Sequence, residues 1–304
     1  MTRYAATRVA QAILSLIAVS VVIFLLMKLY PGDPGSILLG RQATPAKVRA
    51  LDRMLGLDLG WPQQYLVWLR LLFAGGLSGA FGALPSTLLL LALGGGLGLA
   101  ISMSVAIRQA RFPGSWLDRI TSFLAQLFYA FPSCWLAELL YWWLGMELGW
   151  IPLVPPGYLG NQGLGDWALY MSIPVLTVAL TTVAGWSIHL RAAMEESLLS
   201  DYVRTARAKG QTERLVVRRH VVRNSVLPLL SILGMSFPVL LSNLMVVQAY
   251  MGVQGIGGAL MGALFTRAYG TVLNLVMVVG IVTVALNLLT DLLSAAADPR
   301  IRFG

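Results

Sequence analysis

Histidine, cysteine and charged residues are scarce in this sequence. Among 304 residues there are one cysteine, Cys134, and two histidines, His189 and His220. A single cysteine cannot form an internal disulfide or a thiolate metal cluster. Two isolated histidines do not supply the clustered acid–base or metal-ligand set that a membrane-embedded enzyme needs. The sequence therefore predicts a protein that is not an enzyme and holds no catalytic group, cofactor or metal site of its own.

The low content of charged residues also excludes a soluble fold. Charged side chains make up 12% of the sequence, whereas soluble domains carry about 25%. Hydrophobic residues account for 57%, and the mean hydropathy is +0.75. The net charge of +9 could suggest nucleic-acid binding, but the basic residues fall between apolar runs, where they act as topology signals. We therefore expect an integral membrane protein in contact with lipid that binds no nucleic acid.

Six apolar segments are each long enough to cross the bilayer as a tilted helix. The first resembles a signal peptide, but Val9 to Leu29 is too long for the apolar part of one, and no small-residue cleavage site follows. Nothing in these segments shows the alternation of a membrane barrel. We expect an all-α, polytopic protein with about six transmembrane helices. The segments are roughly 9–30, 84–107, 120–145, 169–190, 226–250 and 271–293.

The basic residues predict an orientation and a division of the chain. Most lysines and arginines fall on the side of the termini, so both termini are expected in the cytoplasm. Residues 1–30 form an N-terminal transmembrane helix, and residues 31–83 form an outer loop with short amphipathic helices. One of these is expected to start at Thr44-Pro45, a helix cap followed by proline at the first helical position. Residues 84–304 form a five-helix core that includes a cytoplasmic loop at 191–225.

This cytoplasmic loop is dense in charge and predicts two short helices. Helix-forming residues from Tyr202 to Lys209 end at Gly210, which suits a helix stop. A second helix is expected from about Thr212 toward the membrane. Such a feature fits a groove in a soluble partner, but a solvated, positively charged loop that only fixes topology explains the charge equally well.

The residues of the loop resemble the EAA loop of ABC-importer permeases, in the dipeptide, oligopeptide and nickel branch. Arg204-Thr205-Ala206 stands where the original motif begins with Glu-Ala-Ala. The residues that match the motif are Tyr202, Arg204, Thr205, Ala206, Ala208, Lys209, Gly210, His220, Arg223, Asn224 and Pro228. Further matches, which extend the resemblance over nearly the whole chain, are Pro31–Pro34, Leu55–Asp58, Gln64-Tyr65, Trp68-Leu69, Leu84–Leu88, Phe131–Leu136 and Asp298–Arg302.

The resemblance implies a type I ABC-importer permease fold and a permease subunit that forms half of a translocation pathway. The matched loop residues up to Asn224 would then couple the spans to an ATPase. The implied partners are a homologous second permease (as a heterodimer), two ABC ATPase subunits that hold ATP and Mg²⁺, and an extracytoplasmic substrate-binding protein. The implied location is the inner or cell membrane of a bacterium or archaeon. The implied cargo is a small peptide, nickel or a metal–chelator complex.

Two features of the sequence agree with an external source of energy. The chain has no Gly-x-x-x-x-Gly-Lys-[Ser/Thr] phosphate-binding loop. Its nearest glycine cluster, Gly94–Gly96 with Gly98, lies in an apolar span, where small residues allow close helix packing. An ion-coupled secondary transporter that acts without ATPase subunits is the alternative. It would show inverted repeats and several buried charges, and we find no convincing repeat.

Three polar residues within the spans are candidates for lining the pore: Glu138, Asn243 and Gln248. Glu138 could contact a metal or an amine, because ionisable groups in spans are often functional. Polar groups in spans equally often bond across helices. The sequence also departs from the family pattern, since Gln248 replaces a usual glutamate and Gln254–Gly257 replaces Pro-Gly-x-Gly. The segment from Leu72 to Ala83 is short, which predicts a reduced outer docking surface.

Overall fold

A computed structural model describes residues 2–29, 39, 43–152 and 163–297, and these residues form helices and turns without any strand. The matched motifs Pro31–Pro34 and Asp298–Arg302 lie outside the described residues. The main helices are α1 (Thr2–Lys28), α2 (Pro45–Leu55), α3 (Trp61–Leu71), α4 (Leu77–Phe81), α5 (Leu84–Arg111), α6 (Trp116–Ala130), α7 (Ser133–Glu147), α8 (Leu164–Leu198), α9 (Asp201–Ala208), α10 (Glu213–Val216), α11 (Val226–Met251), α12 (Ile256–Phe265) and α13 (Tyr269–Ala297).

Five helices of the described part are long and apolar enough to cross a membrane, and a bent pair brings the number to six. The five are α1, α5, α8, α11 and α13. The prediction of an all-α, polytopic membrane protein is therefore confirmed. Only the third predicted span, 120–145, needs a correction, because it is not one continuous helix.

The third span breaks at Phe131 and Pro132, where α6 and α7 meet at a bend of 109°. Phe131 has an extended conformation (φ −77°, ψ 128°), as expected for a residue that precedes proline. Pro132 lacks a backbone N–H and cannot continue the hydrogen-bond ladder of α6. The break is not evident from the hydropathy of the segment, because hydropathy indicates the length of an apolar run and not its backbone geometry.

The first outer segment packs onto the membrane helices through aromatic residues of α3. Tyr65 and Trp68 contact Phe24 of α1, with ring centroids 5.4 and 6.1 Å from that of Phe24. Trp68 also donates a hydrogen bond from Nε1 to Oδ1 of Asn274 in α13, at 3.2 Å. The start of α2 is capped by Thr44, whose Oγ1 accepts a hydrogen bond from the Lys47 amide at 3.4 Å.

The core of the bundle lies between α5, α8 and α11. Gly94 and Gly98 of α5 face Val178 and Thr182 of α8 so closely that a Cβ at Gly98 would lie 1.9 Å from Oγ1 of Thr182. Such contact between small residues is how helices pack in lipid, where no hydrophobic force draws apolar helices together. The same apolar core continues into the charged loop through Val203 and Ala206.

Candidate functional site

The charged loop forms a helix, a sharp break and a second helix. α9 ends at Ala208 with Lys209 as its C-cap, and Gly210 follows with φ +77°, the left-handed conformation. The Gly210 amide donates to the Arg207 carbonyl at 2.9 Å, and the Gln211 amide donates to that of Ala206 at 3.3 Å. No atom surrounds the position of a Cβ at Gly210, so glycine is needed there for its backbone angle alone.

An ion pair spans this break. Nε and Nη2 of Arg207 donate to the two carboxylate oxygens of Glu213, at 3.0 and 2.7 Å. The hydrogen bond from Arg207 holds the pKa of the Glu213 carboxyl below its usual value, and the bond to Glu213 raises the pKa of Arg207. His220 and Gln211 add a contact of 3.1 Å between Nε2 and Oε1. The geometry of the turn is therefore fixed by side chains as well as by backbone.

α9 has one buried face and one exposed face. Val203 and Ala206, three residues apart, are buried in the bundle core, where Val216 and Val217 also pack. The opposite face is exposed and positively charged. The predicted coupling residues exposed on α9 and at its end are Tyr202, Arg204, Thr205, Ala208, Lys209 and Gly210.

The structure separates the predicted coupling residues into four groups. Six of them lie on the exposed face of the loop, whereas Ala206 belongs to the buried face. His220 is half-buried beside Gln211. Arg223 and Asn224 are exposed on the segment Val222–Asn224, which leads into α11. The predicted coupling residues thus differ in their exposure, although they belong to one sequence motif.

A buried ion pair near the same end of the bundle was missed by the reasoning from sequence. Asp118, 5% exposed, accepts hydrogen bonds from Nη1 and Nη2 of Arg191 at 2.6 and 3.2 Å. Its carboxylate also accepts from the Gly114 amide at 2.8 Å, while Ser115 caps the start of α6. The pair joins the α5–α6 turn to the end of α8. The Ser-x-x-Asp pattern from Ser115 to Asp118 is the sequence signal that could have placed Asp118 in the first turn of a helix.

A cavity of about 540 Å³, here called the central furrow, lies between the α6–α7 break, α8 and α11. Its polar lining residues are Ser133, Thr181, Thr182, His189, Ser236 and Asn243, and none of its lining residues is Asp, Glu, Lys or Arg. His189, one of the two histidines of the chain, borders this cavity.

Glu138 and Gln248, the two other candidates for lining the pore, occupy different places. Glu138 is exposed on α7 and accepts a hydrogen bond from the Tyr250 hydroxyl of α11. Gln248 is fully enclosed, and its Nε2 donates to Oγ1 of Thr87 at 3.2 Å. Its Oε1 accepts from the Gly257 amide at 3.1 Å. Gln248 thus fastens the turn between α11 and α12 and is not one of the residues that line the central furrow.

Comparisons with known proteins cover the whole length of the chain. Residues 96–303 match the family model described as binding-protein-dependent transport system inner membrane component. Residues 1–90 match the model of the N-terminal part of such membrane components. Among relatives, a protein of Brucella abortus named as a peptide transport system permease is 33% identical, with 100% of each chain covered. The glutathione transport system permease protein GsiC of Pectobacterium atrosepticum is 32% identical, again with 100% of each chain covered.

Proposed function

The chain belongs to the family of binding-protein-dependent transport system inner membrane components, and on this premise we propose that it forms half of the pathway of an ATP-driven peptide importer. The observation that carries this proposal is the two-faced helix α9. Its exposed face offers positive charge to a soluble partner, and its buried face joins the core of the spans.

The buried contacts of α9 give it the properties of a lever. Val203 and Ala206 pack against residues of α10 and the following turn, and this cluster includes Met194 of α8. The Arg207–Glu213 pair keeps α9 and the chain that leads to α11 at a fixed angle. A displacement of α9 by a partner is therefore transmitted to α8 and α11. ATP can drive transport only if the ATPase partner prefers one position of α9 when ATP is bound and another when it is not. A binding partner shifts a conformational equilibrium only by binding the two conformations with different affinities.

The proposed orientation places α9 and both termini in the cytoplasm, on the side with most of the basic residues. Two ABC ATPase subunits would dock there and hold ATP and Mg²⁺. A second, homologous permease would complete the pathway, and an extracytoplasmic binding protein would deliver cargo at the far end of α11. The permease itself hydrolyses nothing in this proposal.

The proposed cargo is a short peptide. Relatives of full-length similarity are named for peptide and glutathione transport, and glutathione is itself a peptide. The lining of the central furrow combines apolar and aromatic side chains with hydroxyl, amide and imidazole groups, and it includes no Asp, Glu, Lys or Arg. Such groups can exchange hydrogen bonds with a peptide backbone of any sequence, because hydroxyl groups and amides both donate and accept.

The first test of this proposal is purification of the tagged chain from its native membrane in mild detergent, followed by mass spectrometry. We expect a related permease and one or two ABC ATPases to accompany it. Recovery of the chain alone, still able to move peptides across vesicles without ATP, would contradict the proposal and favour an ion-coupled secondary transporter.

A further inference from the structure

Glu138 of α7 and Tyr250 of α11 do not line the central furrow, but each follows a lining residue of its own helix, Ser133 on α7 and Asn243 on α11. The Tyr250 hydroxyl donates to the Glu138 carboxylate, and both residues are exposed, Tyr250 by 50%. Along α11, Ser236 and Asn243 line the furrow, and Tyr250 follows Asn243 by the same interval that separates those two residues. An interval of seven residues is about two helical turns, so the three residues share one face of the helix. The Glu138–Tyr250 pair therefore continues the polar face of the furrow beyond Asn243.

An exposed carboxylate at this position has few acceptable surroundings in a membrane. An ionisable side chain within a membrane-spanning segment is costly in contact with lipid. Such residues therefore face a bundle interior or a water-filled cavity. α7 lies beside α8 and α11, and its first residue, Ser133, already lines the furrow. Water in the furrow is thus the environment that best accommodates Glu138.

Glu138 determines the charge at this end of the furrow. None of the lining residues is Asp, Glu, Lys or Arg, and the one histidine among them, His189, lies in the C-terminal half of α8. One carboxylate and one phenol supply too few oxygen ligands for Ca²⁺ or Mg²⁺, which take about six to eight. An ammonium group has three N–H donors, and the two Glu138 oxygens with the Tyr250 oxygen can accept them.

We propose that Glu138, oriented by Tyr250, contacts the ammonium group of a peptide at the outer end of the furrow. The inference rests on the proposed function, because it takes the furrow to be this chain's share of the translocation pathway. The proposed contact predicts which peptides the pathway prefers. Peptides with a free amino terminus are favoured, and peptides with a blocked amino terminus or excess negative charge are disfavoured.

The native Cys134 is a probe for this charge. It is the single cysteine of the chain, and it lies four residues before Glu138 on α7. In the complete importer in vesicles, its labelling rate is measured with cationic trimethylammonium-ethyl and anionic sulfonato-ethyl methanethiosulfonate. We expect the ratio of cationic to anionic rate to fall about fivefold in Glu138→Gln, since helix positions i and i+4 lie about 6 Å apart.

A matched control separates local charge from general accessibility. Ser78→Cys combined with Cys134→Ser places a cysteine at an exposed position of α4. At this control cysteine, the ratio of the cationic to the anionic labelling rate should be the same whether residue 138 is glutamate or is changed by Glu138→Gln. Tyr250→Phe keeps the ring and removes the hydroxyl, so it should leave the charge in place and change the Cys134 ratio by less than Glu138→Gln does. Absence of labelling at Cys134 with both reagents, or an unchanged ratio in Glu138→Gln, would overturn the inference.

Uptake measurements distinguish failure of this inference from failure of the proposed function. With a mixture of labelled dipeptides, Glu138→Gln should raise the KM for ATP-dependent uptake while ATP hydrolysis continues. Uptake kinetics identical to wild type would overturn the role of Glu138 and leave the importer intact. Absence of ATP-dependent uptake in the wild type would contradict the proposed function, whereas the Cys134 labelling ratio would still report whether Glu138 faces water.

Discussion

Arg207 and Glu213 face each other across the break at Gly210, joined by two hydrogen bonds of 3.0 and 2.7 Å. Each side chain is nearly half exposed, 44% for Arg207 and 47% for Glu213. The pair therefore contributes modestly to stability, and its main effect is on the angle between α9 and α10. In the proposed mechanism, this angle determines how motion of α9 reaches the spans.

The first prediction concerns the pH dependence of this ion pair. Because the pKa of Glu213 is lowered in the folded chain, its contribution to stability is present above the ordinary carboxylate pKa and is lost as pH falls through the lowered value. Glu213→Gln should therefore reduce stability by about 0.2–1 kcal/mol at neutral pH, as for other exposed pairs. Thermal unfolding in detergent at a series of pH values measures this. If the difference in stability between Glu213→Gln and the wild type stayed constant into the acid range, this prediction would be contradicted.

The second prediction is that Gly210→Val uncouples ATP hydrolysis from transport. A residue with a Cβ at φ +77° is strained by about 1–3 kcal/mol, which favours a different turn after α9. We expect normal insertion and ATP hydrolysis but reduced peptide uptake. Gly165→Val is the control, because Gly165 lies in the first turn of α8 with open space around its Cβ position. Normal uptake in Gly210→Val would show that the break does not matter.

The third prediction concerns the buried pair of Asp118 and Arg191. Asp118→Ala leaves Arg191 and the Gly114 amide without this carboxylate, whereas Glu195 still pairs with Arg191 at 2.7 Å. A loss of about 1.5–3 kcal/mol is expected, as for other hydrogen bonds that involve a charged group. Asp201→Ala removes an exposed pair with Arg204 and should cost at most about 1 kcal/mol. Melting temperatures in detergent compare the two variants, and equal shifts would contradict the account.

The fourth prediction tests the turn that Gln248 fastens. A Cβ at Gly257 would lie 2.1 Å from the Met245 carbonyl oxygen, so Gly257→Ala must displace backbone. The expected destabilisation is about 1–3 kcal/mol, as for other overpacked sites. Gly262→Ala, on the same helix with open space at its Cβ position, should be neutral or slightly stabilising. Thermal unfolding of both variants is the measurement, and a stable Gly257→Ala would disprove the close contact.

Local signals in the sequence predicted local structure well. Thr44 and Pro45 begin α2, and Gly210 adopts the left-handed conformation at the end of the loop helix. Each of these features is determined by residues within one or two helical turns of it, so the local sequence is sufficient to predict it. The break at Pro132 was also present in the sequence, but the long apolar run was interpreted as one helix.

Long-range contacts could not be predicted in this way. Asp118 pairs with Arg191 from another helix, and Gln248 bonds to Thr87 at the start of α5. A polar residue in a span can face a pore or another helix with the same local sequence, and only the packing decides between these. For this reason Asn243 and Gln248 looked equivalent in the sequence, although one borders the furrow and the other is enclosed.

Cross-linking from the exposed face of α9 tests the central claim most directly. In a Cys134→Ser background, Thr205→Cys carries a photoactivated cross-linker in the complete importer, with Ser78→Cys on α4 as the control position. The account predicts that Thr205→Cys forms a cross-link to an ABC ATPase subunit, that its yield changes when ATP binds, and that Ser78→Cys forms none. No cross-link from Thr205→Cys to an ATPase, in an importer that still transports peptides, would contradict the role of α9 as the coupling lever.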